Sequence, residues 1–260
     1  MKTLNFSFAT KLTFDNYVHI HSFALRCIPI ESISQHIVSC EMNISPFVPT
    51  RNTVDAFGNT ITSGYISKEH RFLDFEINGC AEIDVSMPKT DFIPCYLYQS
   101  EYTKPDKNLM DFYAEISKEC SKINSFERAT FFSDILSDTI QYEKGVTDTK
   151  TTSVQAFELR KGVCQDFSHI MLTLLRMDKI PCRYMAGLAA CDGETHSWVE
   201  IWDGEKWLGF DPSNNCPINE DYLVLSQGRD FGDCSIDRGV MFGAYTKQLQ
   251  LITSSLKTAY

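Results

Sequence analysis

The chain has 260 residues, enough for one large domain or two small ones with ample core. Hydrophobic residues make up 43% and charged residues 22%, the balance of an ordinary globular protein, with a formal net charge of −10. That acidity, with no basic stripe, argues against a nucleic-acid partner and hints only weakly at cationic substrates.

The start, MKTLNFSFATKLTF, alternates polar and apolar residues as a strand does and has no continuous apolar core of a signal peptide. No run reaches the roughly 18 apolar residues of a membrane span. The 10 cysteines include no Cys-x-x-Cys pair and no zinc-type spacing, so reduced, buried thiols and a cytoplasmic setting are expected. Up to about residue 100 the chain reads as strands, such as LNFSFATKLTF, YVHIHSFALRCIP and FLDFEINGCAEIDVSM, broken by turn-rich pieces like Asp55 to Asn59. A β-sandwich-like domain over residues 1–100 follows.

Pro105 and Asp106 open a helical stretch expected to run through Ile123. Asn124, with Glu127 three residues on, has the form of a cap for a second helix ending near Tyr142. Glu143 to Lys150 reads as a loop and Thr152 to Arg160 as a short helix. Cys164 then opens an amphipathic run in which Phe167, Ile170, Met171, Leu174 and Leu175 recur at helical spacing. Its thiol therefore sits in a first helical turn, where unpaired N–H groups and the helix dipole favour a thiolate.

Two strands follow, HSWVEIW and KWLGFD. With Asp203 and Gly204 as a two-residue turn, His196 lies directly opposite Asp211 and Val199 opposite Leu208. His196, Trp198, Gly209 and Asp211 then share one face, and Val199, Ile201, Leu208 and Phe210 the other. Later strands are expected at Asp221 to Ser226 and Thr246 to Thr253, the last either in the same sheet or back on the N-terminal domain.

A thiol is a weak nucleophile until a base takes its proton, and the base needs a third group to orient it. Cys164, His196 and Asp211 fit those roles in that order. The plainer alternatives are a buried thiol, an ordinary strand histidine, and an Asp that starts a turn before Pro212. His169, five residues after Cys164, points to another side of the helix and reads as structural. Asp166, two residues after Cys164, opposes a thiolate but lies well around the helix from it. Trp202 and Trp207 read as core or cleft wall. Trp198, on the histidine's face, is a candidate to shield the ring or line the acyl pocket. Cys191 reads as a surface thiol. Arg229, Asp230 and Asp233 read as a turn with a salt bridge. Two oxyanion donors are needed; the Cys164 N–H is the first, and Tyr142 is the candidate for the second, ahead of Gln165.

The blocks GVCQDF, IPCRY, HSWVE and GFDPSN, in that order, resemble the transglutaminase-like superfamily of papain-type cysteine enzymes, in its bacterial branch. Cys182 stands where that family usually has a small residue. Phe57, Gly58 and Asn59 among strands are similar to the family's β-rich N-terminal domain, and Gly228 to Asp233 to the segment after its core. The resemblance implies an α+β fold: an antiparallel β-sandwich-like domain, then a papain-like core (101–260) whose Cys-bearing helix packs on the sheet bearing His and Asp. It implies a peptidase, amidase or acyl transferase on peptide or protein substrates, with no metal or organic cofactor. Hydrolysis is the first expectation, because selective transfer needs a dry amine site. A transglutaminase or a non-catalytic binding module is the alternative.

Overall fold

The computed structural model describes residues 1–119, 123–190 and 194–259. Five strands come first: β1 (Lys2–Leu25), β2 (Gln35–Ser45), β3 (Thr50–Val54), β4 (Thr60–Ile66) and β5 (His70–Ile83). Then come α1 (Lys107–Ile116), α2 (Ser125–Thr139), β6 (Gln141–Tyr142), α3 (Ser153–Leu159), β7 (Lys161–Gly162) and α4 (Cys164–Met177). The chain continues through β8 (Cys182–Ala189), β9 (His196–Trp202), β10 (Trp207–Asp211), β11 (Cys216–Pro217) and β12 (Tyr222–Gly228). It closes with α5 (Phe231–Cys234), β13 (Asp237–Gly243) and β14 (Gln248–Thr258).

β1 organises the first layer. Leu4, Phe6, Phe8, Thr10, Leu12 and Phe14 are buried at even positions, whereas His21, Phe23 and Leu25 are buried at odd ones. Side chains alternate with period two, so keeping one face inward across that change needs an irregularity. Pairing to β5 slips between Thr13 and Val18, and pairing to β13 between Val18 and Ile20. β5 and β14 flank the first half of β1, and β4 and β13 the second. β2 joins β5 and β3 joins β4, giving one curled antiparallel sheet of seven strands. Both C-terminal strands thus bond to the N-terminal one. β13 escaped the sequence pattern because Val240 and Phe242 face solvent at 78% and 70% exposure. Its Gly243 packs on the Val18 backbone, where a Cβ would not fit.

The second layer is the five-stranded sheet β11-β10-β9-β8-β12. Leu188, Leu223 and Leu225 from it join Phe6, Phe8 and Leu12 of the curled sheet in one core. On its other side α4 packs under α2 and α3, so the helix is buried on nearly every side rather than along one stripe. The helix starts obey their caps: Asp106 accepts from Leu109 N–H, and Asn124 with Glu127 and Thr152 with Gln155 form reciprocal capping boxes. α1 stops at Ile116, where apolar spacing gives way to Lys118 and Glu119, short of the expected Ile123. α2 stops at Thr139 because Gln141 N–H donates to the Arg160 carbonyl at 2.9 Å, drawing the chain into the two-residue bridge β6–β7.

The β9–β10 register differs from the expected one. Trp202 pairs with Trp207, Val199 with Phe210 and Ile201 with Leu208. Asp203 N–H donates to the Lys206 carbonyl at 3.1 Å, so the turn centres on Gly204 and Glu205, one residue later than the sequence signal. The Asp203 carboxylate accepts the N–H groups of Glu205 and Lys206, and Gly204 takes φ 112°. Moving the turn by one residue shifts each pairing by two and leaves every side chain on its expected face. His196 and Asp211 are diagonal neighbours rather than directly opposed.

Candidate active site

Gly162 and Val163 deliver Cys164 to the first position of α4. A Cβ on Gly162 would overlap the Asp166 carboxylate, which accepts Val163 N–H at 2.8 Å and the Thr147 hydroxyl at 2.7 Å. These contacts fix the helix start and direct Asp166 away from the sulfur. His196 opens β9 and Asp211 closes β10. Sheet twist and the diagonal register bring His196 Nε2 to 2.6 Å from Asp211 Oδ2. Cys164 and His196 border the same cleft. With Nε2 committed to Asp211, Nδ1 is the ring nitrogen left for sulfur.

Asp211 is fully buried, and its surroundings supply what the burial removes. Oδ2 also accepts Asn214 Nδ2 at 2.7 Å and the Tyr222 hydroxyl at 2.9 Å. Oδ1 accepts Ser213 N–H and hydroxyl and the Asn214 N–H. Burial alone would raise its pKa, but the hydrogen bond and charge of His196, with Ser213 and Asn214, hold it at about 2. Burial likewise opposes the imidazolium, yet Asp211 and Cys164 together push His196 up to about 10. For Cys164, burial raises and the His196 hydrogen bond and charge, helped by Ser197, lower; the net direction is down. The three groups favour a thiolate beside an imidazolium, backed by a carboxylate.

The sulfur opens onto a cleft of about 420 Å³ between the catalytic sheet and the curled sheet. Tyr142 stands on its wall, held by β6–β7 pairing beside Gly162, and Gln165 borders it as well. Trp198 does not line it. The indole is 1% exposed on the far face of the sheet, edge-on to Tyr222 with ring centroids 5.3 Å apart and packed with Met185 and Ala189. It buttresses the tyrosine that bonds Asp211, because the strand alternation that puts it on the His196 face also carries it behind the sheet. His169 Nε2 accepts Phe231 N–H at 3.2 Å in the core. Trp202 and Trp207 cluster with Phe92, and Arg183 lies 4.2 Å over the Trp207 ring. Arg229 forks onto Asp233 at 2.8 and 3.0 Å, and Asp230 caps α5. Cys191 lies outside the described residues.

Sequence reasoning missed the residues that hold Asp211. Ser213 and Asn214 carried a local signal, since small polar residues just after an Asp commonly bond back to it. Tyr222 carried none: it reaches Asp211 from β12, at the opposite edge of the sheet from β11.

Comparison with known proteins agrees with this architecture. Residues 112–212 match the transglutaminase-like superfamily, and residues 4–82 match the bacterial transglutaminase-like N-terminal region. The chain belongs to the transglutaminase-like superfamily. An uncharacterized protein of Mycobacterium leprae is 30% identical over 130 residues, 46% of this chain and 46% of that protein. An uncharacterized protein of Mycobacterium bovis is 25% identical over 256 residues, covering 82% of this chain and 79% of its own length. The crystal structure of a candidate cysteine protease from Cytophaga hutchinsonii shares the fold, with a TM-score of 0.76 and 18% identity over 100% of this chain and 99% of that one.

Proposed function

We propose that the chain is a cysteine peptidase or amidase that cleaves peptide or amide bonds through Cys164, His196, Asp211 and a thioester intermediate. The observation that carries this reading is the buried 2.6 Å contact between His196 Nε2 and Asp211, beside a cleft that Cys164 and His196 both line.

The Cys164 thiolate attacks the amide carbon, and the carbonyl π pair moves to oxygen. That oxyanion is received by the Cys164 N–H, which as a first-turn donor has no acceptor within its helix, and by the proposed second donor, Tyr142. Collapse breaks the C–N bond, and the imidazolium of His196 gives its proton to the departing amine. Water then attacks the thioester as His196 takes its proton, releasing the acid and returning the proton to the sulfur–imidazole pair. Asp211 keeps the ring aimed and offsets its positive charge throughout.

The same reading sets the enzyme in the cytoplasm, with peptide or protein substrates and neither nucleic acid nor membrane as partner. The cysteines at 27, 40, 80, 95, 164, 182, 216 and 234 are free thiols. No helix among the described residues is long and apolar enough to cross a membrane.

The test is incubation with a glutamine-containing peptide library and a labelled primary amine, read by mass spectrometry. Hydrolysis products without label are expected, and covalent incorporation of the amine would overturn hydrolysis in favour of transfer.

A further inference from the structure

The wall of the cleft facing the nucleophile is built by the curled sheet and carries polar groups that the chemistry above does not use. Thr10 on β1 is 1% exposed and borders the cleft, yet its hydroxyl has no hydrogen-bond partner among the described residues. Asp237, the first residue of β13, pairs with the buried Leu25 and so sits on the same inner face. Its carboxylate borders the cleft with no ion-pair partner among the described residues.

The cations nearby are engaged elsewhere. Arg26, whose N–H bonds the Ile236 carbonyl, turns its guanidinium to Asp55 at 3.3 Å. Arg238 donates to the Gly232 carbonyl. Lys144, on the cleft rim, faces Glu194 at 3.6 Å. Burial, with no cation to offset it, pushes the Asp237 carboxyl up to about 6. A carboxylate desolvated in this way costs the free protein stability, and a cation supplied from outside would recover it. Phe8 and Ile252 flank this region with apolar surface, and the exposed Gln250 adds an amide.

We infer that this sheet wall is a specificity subsite for a basic side chain of the peptide substrate, its alkyl stem against Phe8 and Ile252 and its cationic head shared by Asp237, Thr10 and Gln250. The subsite deepens, and rests on, the amidase reading. It also gives the N-terminal sheet a part in substrate choice, and the net charge of −10 would draw such peptides toward the cleft.

Two readouts separate the subsite from the reading beneath it. N-acetylated heptapeptide amides of Gln and Ala carry one lysine walked through the positions, and a matched set carries norleucine. Turnover is measured with the unaltered protein and binding with Cys164→Ala protein. At one position the lysine peptide is expected to be turned over and bound about tenfold better than its norleucine partner, the usual scale for a charge-assisted contact. Asp237→Asn erases that ratio, whereas Glu205→Gln, an exposed carboxylate on the β9–β10 turn, keeps it. Thr10→Val narrows the ratio and raises the unfolding midpoint, since it removes an unsatisfied hydroxyl; a threonine that only packs would not move both. Turnover without a lysine preference, or a preference that survives Asp237→Asn, overturns the subsite and leaves the amidase reading standing. Lysine-selective binding that Asp237→Asn removes, without turnover of any peptide, upholds the subsite and overturns the amidase reading. Neither turnover nor binding overturns both.

Discussion

A buried carboxylate can orient an imidazole only if its own charge is satisfied, and Asp211 meets that demand with donors from three further residues. Ser213 and Asn214 supply the local ones and Tyr222 the distant one. Tyr222→Phe keeps the ring that packs on Trp198 and removes one donor from Oδ2. A single hydrogen bond to a charged group is worth about 1.5–3 kcal/mol, so kcat/KM is expected to fall by roughly tenfold or more. A mere packing change would leave the pH profile of Cys164 alkylation alone. Loss of this positioning bond should instead move its acid limb to higher pH, because the imidazolium is less well held and the thiolate becomes harder to form. At the same scale, Gly162→Ala should slow turnover and lower stability together. An added methyl group must push the Asp166 carboxylate off Val163 N–H and disturb the start of the helix that carries the sulfur.

Among the elements, the β8–β9 pair shows how the sheet that presents His196 is stiffened. Arg183 lies opposite Glu200 in the register, and its guanidinium bonds that carboxylate at 2.9 and 2.7 Å; Lys89 approaches from outside. Arg183 and Glu200 are 1% and 2% exposed, where an unpaired charge is costly. Glu200→Ala is therefore expected to destabilise the fold by about 3–5 kcal/mol, measured by denaturant unfolding. Burial opposes the Glu200 charge, yet Lys89 and Arg183 hold its pKa at about 2, below its ordinary 4.5. Since the folded-state value is the lower one, the stability it contributes is present above about pH 4.5 and lost as pH falls toward 2. Glu200→Gln should flatten that acid limb, and an unchanged limb would contradict the assignment.

Elements also show what the sequence could tell. Asn124 with Glu127, and the apolar spacing after Cys164, are local signals, and the helices start where those signals lie. The β9–β10 turn was misplaced by one residue because Asp203 and Gly204 match a type I′ preference, while the Asp203 side chain is used to bond the two following N–H groups. The side chains kept their expected faces, because period-two alternation fixes the face of a strand even when the exact partner is wrong. Trp198 shows the limit of the same rule: alternation placed it on the right face but could not say that the sheet hides that face behind Tyr222.

For the whole molecule, the sheet that begins at residue 2 is completed by residues 237–258. Such a return is set by contacts across more than two hundred residues, and no local pattern specifies it. The curled sheet and the catalytic layer share one core through Phe6, Phe8, Leu188 and Leu223, so they should melt together. Truncation after residue 244 removes β14 and uncovers one edge of β1. It is expected to lower the unfolding midpoint of the whole chain in a single transition, followed by calorimetry; an unchanged catalytic layer beside a melted N-terminal sheet would show that the layers are independent. Thr10 and Asp237, from opposite ends of the sequence, meet the cleft only because of this closure.

The most direct measurement is the rate of iodoacetamide alkylation at each cysteine as a function of pH, read by peptide mass spectrometry. Cys164 should react at pH 6 about a hundredfold faster than any other cysteine, and His196→Ala should remove that advantage by forcing the thiol back toward its ordinary pKa. Uniform reactivity across the cysteines, or a Cys164 rate indifferent to His196→Ala, would contradict a thiolate held by the imidazole.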